Sequence, residues 1–141
     1  MDNELPPDYK PSPEEEYMNP RQLAYFRQKL LDWRASLLGE AQQTIDHLRD
    51  EGEGRIVGDE ADRASQESDN ILELRTRDRY RKLLPKIDAA LRRIEDGSYG
   101  YCEETGEEIG LRRLEARPVA TLSVEAQERR EKKEHQYSED H

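Results

Sequence analysis

The sequence predicts a mainly α-helical protein: a long antiparallel two-helix coiled-coil hairpin, a small turn-rich knuckle, and a C-terminal helix. Three observations predict it. Of 141 residues, 40% are charged and only 33% hydrophobic. That is too little apolar material to wall a deep pocket, but enough for a narrow helical seam. Residues 20–96 hold sixteen acidic and fifteen basic residues, the near-neutral mixture of an exposed helix-pair surface rather than of a disordered chain. Apolar residues in that stretch recur at heptad spacing on either side of a glycine-rich break.

Residues 1–19 form an acidic segment, with six acidic residues and one basic. Pro6, Pro7, Pro11 and Pro13 keep it non-helical, and it is expected to pack on or near the globular part. The hairpin occupies 20–96. Asn19 suits the cap of its first helix, Pro20 the first helical position, and Gln22 the far corner of a capping box. Met18 and Leu23 are spaced for a hydrophobic staple. The seam reads Leu23, Phe26, Leu30, Trp33, Leu37 and continues more weakly through Ala41, Ile45 and Leu48. The helix should end near Asp50, because glycines follow at 52, 54 and 58.

Asp59 can cap the second helix, with Asp62 in its first turn. Its apolar positions are Ala61, Ala64, Ile71 and Leu74, then Leu84, Ile87, Leu91 and Ile94. Register is lost between Leu74 and Leu84, where Arg75, Arg77, Arg79, Arg81 and Lys82 crowd in and Pro85 removes a backbone hydrogen bond. Gly97 and Gly100 end the helix. At ~1.5 Å per residue each arm is on the order of 45–50 Å long, with a tip at about 52–64. A weak seam near the tip implies that the tip does something other than pack.

Residues 97–122 should be a small globular region of tight turns. Cys102, Thr105, Ser123 and Ala126 stand in a C-x2-T-x17-S-x2-A frame. The spacing is that of two zinc-ribbon knuckles, but only one of the four metal ligands remains. The expectation is a zinc-ribbon-like knuckle held by packing and hydrogen bonds, without metal. Ser123 can instead cap the last helix, about Ser123 to Gln136, with Glu125 in its first turn and a frayed end to 141.

Composition also removes function classes. A net charge of -10 argues against generic nucleic-acid binding, which needs cations to displace phosphate counterions. A single cysteine allows no intrachain disulfide and makes an intracellular site the default. No apolar run reaches the roughly 18 residues of a membrane span, and the acidic, proline-bearing start does not fit a signal peptide.

Four stretches resemble one family in order and spacing: EEYMNPRQLAYFRQKLLDWR, the DEADRASQE segment, LRTRDRYRKLLPKI, and SYGYCEETGEEIGLRRLEARP. They are similar to the DksA/TraR family of bacterial RNA polymerase-binding transcription factors, and the cysteine-poor frame resembles its zinc-independent members. The resemblance implies a cytoplasmic, non-enzymatic, monomeric regulator. Its coil would enter the secondary channel of RNA polymerase and modulate initiation together with ppGpp, repressing ribosomal RNA promoters and activating some amino-acid biosynthesis promoters. It implies no sequence-specific DNA binding and no membrane. It assigns Asp59, Asp62 and Ala64 to a functional coil tip, Arg79 to a polymerase contact, and Leu83, Lys86 and Arg117 to ppGpp. Gln127 stands where the family has a lysine, which removes one phosphate-seeking charge. No cofactor is required and zinc is not expected. Two other readings remain: a Gre-like transcript-cleavage accessory using the acidic tip, and a plain coiled-coil adaptor. Each functional position also has a bland role, with Asp59 and Asp62 as helix caps, Lys86 as a surface lysine and Cys102 as a small buried residue.

Overall fold

In a computed structural model of the chain, residues 5–54 and 60–139 are described. They form four helices: α1 Pro20–Gly54, α2 Glu60–Asp96, α3 Leu111–Ala116 and α4 Val124–Glu139. Among the described residues there is no extended strand, only an isolated antiparallel bridge between Tyr101 and Glu108. The mainly helical class is as expected. The first helix runs four residues past Asp50, and α3 arises within a stretch expected to hold only turns. The last helix extends to Glu139 rather than Gln136. Asp59 lies outside the described residues, as does the Asp62 side chain, although the Asp62 backbone belongs to α2.

The chain divides into two compact units, Met1–Leu30 with Ala89–His141, and Leu31–Asp88. The first is built around Phe26, Tyr99 and Leu114, all fully buried, with Met18, Ile109, Val119, Ala120, Leu122 and Ala126 around them. The start of α1 is capped from both sides. Asn19 Oδ1 accepts the Gln22 N–H at 2.9 Å. Gln22 Oε1 reaches back one residue beyond the usual box and accepts the Met18 N–H at 2.8 Å. Met18 takes a left-handed φ of 53°, a conformation that a side chain bears only when its surroundings enforce it. Its thioether end lies so close to Gly100 that a Cβ there would sit 2.8 Å from Met18 Cγ. At the C-terminus of α2, three N–H groups, of Gly97, Ser98 and Tyr99, converge on the Arg93 carbonyl at 3.0–3.1 Å. Gly97 is left-handed, with φ 86°, as a helix C-terminus of this kind requires.

The second unit is the antiparallel pairing of α1 with α2. Contacts run in opposite directions along the two helices: Arg34 with Asp88 at 2.9 Å, Glu40 with Arg79 at 3.8 Å, Thr44 with Thr76 at 3.4 Å, His47 with Asp69 at 3.8 Å. These contacts correct the seam. On α1 it continues from Leu37, which is buried, through Glu40, Thr44 and His47. Ala41 and Ile45 are off it. On α2 the same 3-4 spacing passes through Asp69, Thr76, Tyr80, Leu83 and Ile87, of which Asp69 and Ile87 are buried. Ile71 and Leu74 are instead 51% and 63% exposed. The seam does not lose register. It stays in register and becomes polar, which a search for apolar residues reads as a break.

Candidate functional site

The vacated zinc frame is assembled. A short reversal carries the chain past Cys102: its N–H donates to the Glu107 carbonyl at 2.7 Å, and the Gly106 N–H returns to the Cys102 carbonyl at 2.8 Å. Gly106 accepts this turn with φ 76°. Ser123 stands at the cap of α4, where its Oγ accepts the Ala126 N–H at 3.2 Å. The Glu103 N–H donates to Thr121 O at 2.8 Å and joins the two knuckle segments. Arg130 of α4 adds an ion pair to Glu104 at 2.8 Å.

Cys102 occupies the centre of this arrangement and is only 2% exposed. Burial pushes its thiol up. The Thr105 hydroxyl and the backbone N–H groups of Ser123, Thr105 and Glu104 hydrogen-bond the sulfur and outweigh burial, bringing the group down to about 6. The residues do not fit zinc. Ala126 has no ligand atom, Ser123 Oγ is engaged with Ala126 N, and Thr105 Oγ1 accepts the Glu107 N–H at 3.2 Å. One sulfur cannot make a tetrahedral site. Among the described residues no group of three or more His, Cys, Asp or Glu could hold a metal ion. The N–H donors around the buried Cys102 sulfur favour its thiolate form.

Tyr17 adds a clasp that the sequence did not single out. Its hydroxyl donates to Gly100 O at 2.7 Å and accepts the Gly110 N–H at 3.0 Å, while its ring meets Tyr101 edge-on at 5.6 Å. Lys29 pairs with Glu115 at 2.9 Å and so links α1 to α3. Tyr25, which also hydrogen-bonds Glu115, is pushed up to about 12 by burial and by that carboxylate.

The hairpin residues carry the remaining assignments. Ala64 is exposed on α2. Arg79 is exposed and, among the described residues, pairs with Glu40 at 3.8 Å. Leu83 is half-buried on the seam row. Lys86, on α2, is exposed and has no ion-pair partner among the described residues. The same holds for Arg117, just after α3, in the other unit. Gln127 donates to Glu131 along α4 at 2.9 Å. Among the described residues no helix is long and apolar enough to cross a membrane.

Known proteins resemble the chain along nearly all of its length. The family description "DnaK suppressor protein DksA, N-terminal domain" matches residues 22–94, and "Prokaryotic dksA/traR C4-type zinc finger" matches 97–132. An RNA polymerase-binding transcription factor DksA of Caulobacter vibrioides is 63% identical over 133 residues, covering 94% of this chain and 92% of that protein. The protein of the same name in Escherichia coli K12 is 50% identical over 117 residues, covering 83% and 76%. The structure of transcription factor DksA2 from Pseudomonas aeruginosa superposes with a TM-score of 0.74 at 47% identity, covering 86% of this chain and 94% of that one.

Proposed function

Since the chain belongs to the DksA family, we propose that it is a non-enzymatic transcription factor that binds RNA polymerase directly in the bacterial cytoplasm. The carrying observation is the 63% identity with an RNA polymerase-binding transcription factor over 94% of this chain. The coil enters the polymerase's secondary channel as a monomer and modulates initiation together with ppGpp, repressing ribosomal RNA promoters and activating some biosynthetic ones. A slender pair of helices suits a narrow passage.

In this reading Asp59, Asp62 and Ala64 act at the tip and Arg79 contacts polymerase. Lys86 and Arg117 supply cationic donors to ppGpp phosphates. Both are exposed and uncommitted to any ion pair among the described residues, which supports that role. Leu83, half-buried on the seam row, contributes apolar contact. Gln127 brings no charge, so alarmone binding relies on fewer cations. The knuckle holds no zinc in this reading, because the donor set does not suit it.

Transcription in vitro from a ribosomal promoter, with and without ppGpp, tests the proposal with wild type, Asp62→Asn and Lys86→Ala. Wild type should shorten the lifetime of open complexes. Asp62→Asn should bind polymerase but lose this effect, and Lys86→Ala should lose mainly the ppGpp increment. An unchanged lifetime with wild type overturns the proposal. Shortened transcripts from stalled complexes would point to a cleavage accessory instead.

A further inference from the structure

The knuckle has an open backbone edge. The Cys102 N–H donates to the Glu107 carbonyl at 2.7 Å and the Ile109 N–H to the Gly100 carbonyl at 2.8 Å. These two bonds bracket the antiparallel bridge between Tyr101 and Glu108. In that pattern the bridged residues turn their own N–H and C=O groups outward. Those of Glu108 have no hydrogen-bond partner among the described residues. Two residues on, where the backbone faces the same edge again, the Gly110 N–H is taken by the Tyr17 hydroxyl at 3.0 Å. Glu108 is exposed and Ile109 buried, so successive side chains here alternate between solvent and core.

Glu108 and Gly110 also line an open cleft of about 640 Å³. Tyr17 and Leu111 give it apolar surface, and Pro11 and Pro13 of the N-terminal segment line it as well. Proline has no N–H, so neither of these two can supply a donor to the Glu108 carbonyl. The charge of the cleft is uneven. Its charged lining is Glu15, Glu108, Glu115 and Arg112. Glu115 is paired with Lys29, which leaves two carboxylates to one guanidinium. Glu15 is held by the Tyr9 hydroxyl and the Ser12 N–H, whereas Glu108 has no ion-pair partner among the described residues. A charge on an open edge turns away like-charged strands and favours a strand of the opposite sign.

We propose that a short extended segment of a partner protein, with a lysine or arginine between two apolar residues, adds as a strand along Glu108 and fills this cleft. The N–H and C=O of its basic residue pair with those of Glu108, and the two side chains then lie opposite each other on one face. The residues on either side point the other way and meet Tyr17 and Leu111. Main-chain bonds give such an addition its affinity, and alternate side chains give it selectivity. Tyr17 sets the length: because its hydroxyl takes the Gly110 N–H, the open edge ends there and a segment of about three residues suffices. All of these residues lie outside the Leu31–Asp88 unit, so the inference does not depend on how the hairpin is used.

The test titrates nitrogen-15-labelled full-length protein with capped five-residue peptides and follows backbone amides by NMR. The probes are Ser-Val-Lys-Val-Ser, its analogue with glutamate for lysine, and its analogue with an N-methylated lysine. The lysine peptide should shift the Glu108 amide saturably at millimolar concentration and slow its hydrogen exchange. The glutamate peptide should bind about fivefold more weakly or worse, and the N-methylated peptide, lacking the central N–H, should not saturate. Glu108→Lys changes an exposed side chain, so the fold should be retained, which circular dichroism checks. This variant should reverse the order of the lysine and glutamate peptides. The proposal is overturned if no peptide shifts Glu108 saturably, or if Glu108→Lys leaves the order of the peptides unchanged. Shifts at Glu108 that grow with protein concentration alone would make a second copy the occupant and overturn it too. No measurement here involves polymerase, so each of these failures leaves the functional reading standing.

Discussion

Cys102 shows how much one residue's meaning depends on its neighbours. As a letter in the chain it is the remnant of a four-ligand frame. In the fold it is a buried sulfur that receives hydrogen bonds from the Thr105 hydroxyl and three backbone N–H groups, and its thiol is lowered to about 6 despite burial. The thiolate therefore stabilises the folded state. A group depressed on folding contributes fully above its unfolded value, here 9.0, and loses the contribution as pH falls through its folded value near 6. The stability advantage of wild type over Cys102→Ser should grow between pH 6 and pH 9. Urea unfolding of both proteins across that range measures it, and a difference that does not change with pH would show that the sulfur is held as a neutral thiol. The sequence spacing located the frame. That its empty positions would be filled by hydrogen-bond donors required knowing where the Glu104, Thr105 and Ser123 N–H groups point.

At the scale of the elements, caps were legible and the seam was only half so. Asn19, Pro20 and Gln22 mark the start of α1 because cap chemistry is local, and Ser123 marks α4 in the same way. Phe26, Leu30, Leu37 and Ile87 are buried, because apolar residues there coincide with the heptad. Beyond Leu37 they do not. Ile45, Ile71 and Leu74 attracted the hydropathy reading, while the helices meet through Glu40, Thr44, Asp69 and Thr76. Extending the 3-4 spacing strictly from Leu37 would have found Glu40 and Thr44, and stepping back from Ile87 through Leu83 and Tyr80 would have found Thr76 and Asp69. Replacing Thr44 and Thr76 together with leucine should stabilise the hairpin by roughly 1–3 kcal/mol, since two polar seam positions become apolar. Had Ile45 and Leu74 formed the seam, the same change would leave stability almost unaltered. Thermal melts followed at 222 nm distinguish the two, and the absence of any increase would put the polar seam in doubt.

For the whole molecule, the scarcity of apolar residues does not make the chain disordered, because neither unit needs a large core. One unit is two paired helices, and the other is centred on Phe26, Tyr99 and Leu114. Because the donor set does not suit zinc, prolonged dialysis against a chelator should leave helicity and melting temperature unchanged. A zinc-dependent domain would unfold under this treatment, and such unfolding would refute the donor-set argument. The sequence by itself determined the helical class, the hairpin, the loss of three of four zinc ligands and the family, because these depend on local spacing, composition and residue identity. Only the tertiary structure decided that Tyr17 clasps Gly100 and Gly110, that α3 forms within the knuckle, and that Ile45 and Leu74 flank the seam. Those outcomes depend on which groups meet across long sequence separations, and on a heptad that keeps its geometry after its apolar residues have moved off it.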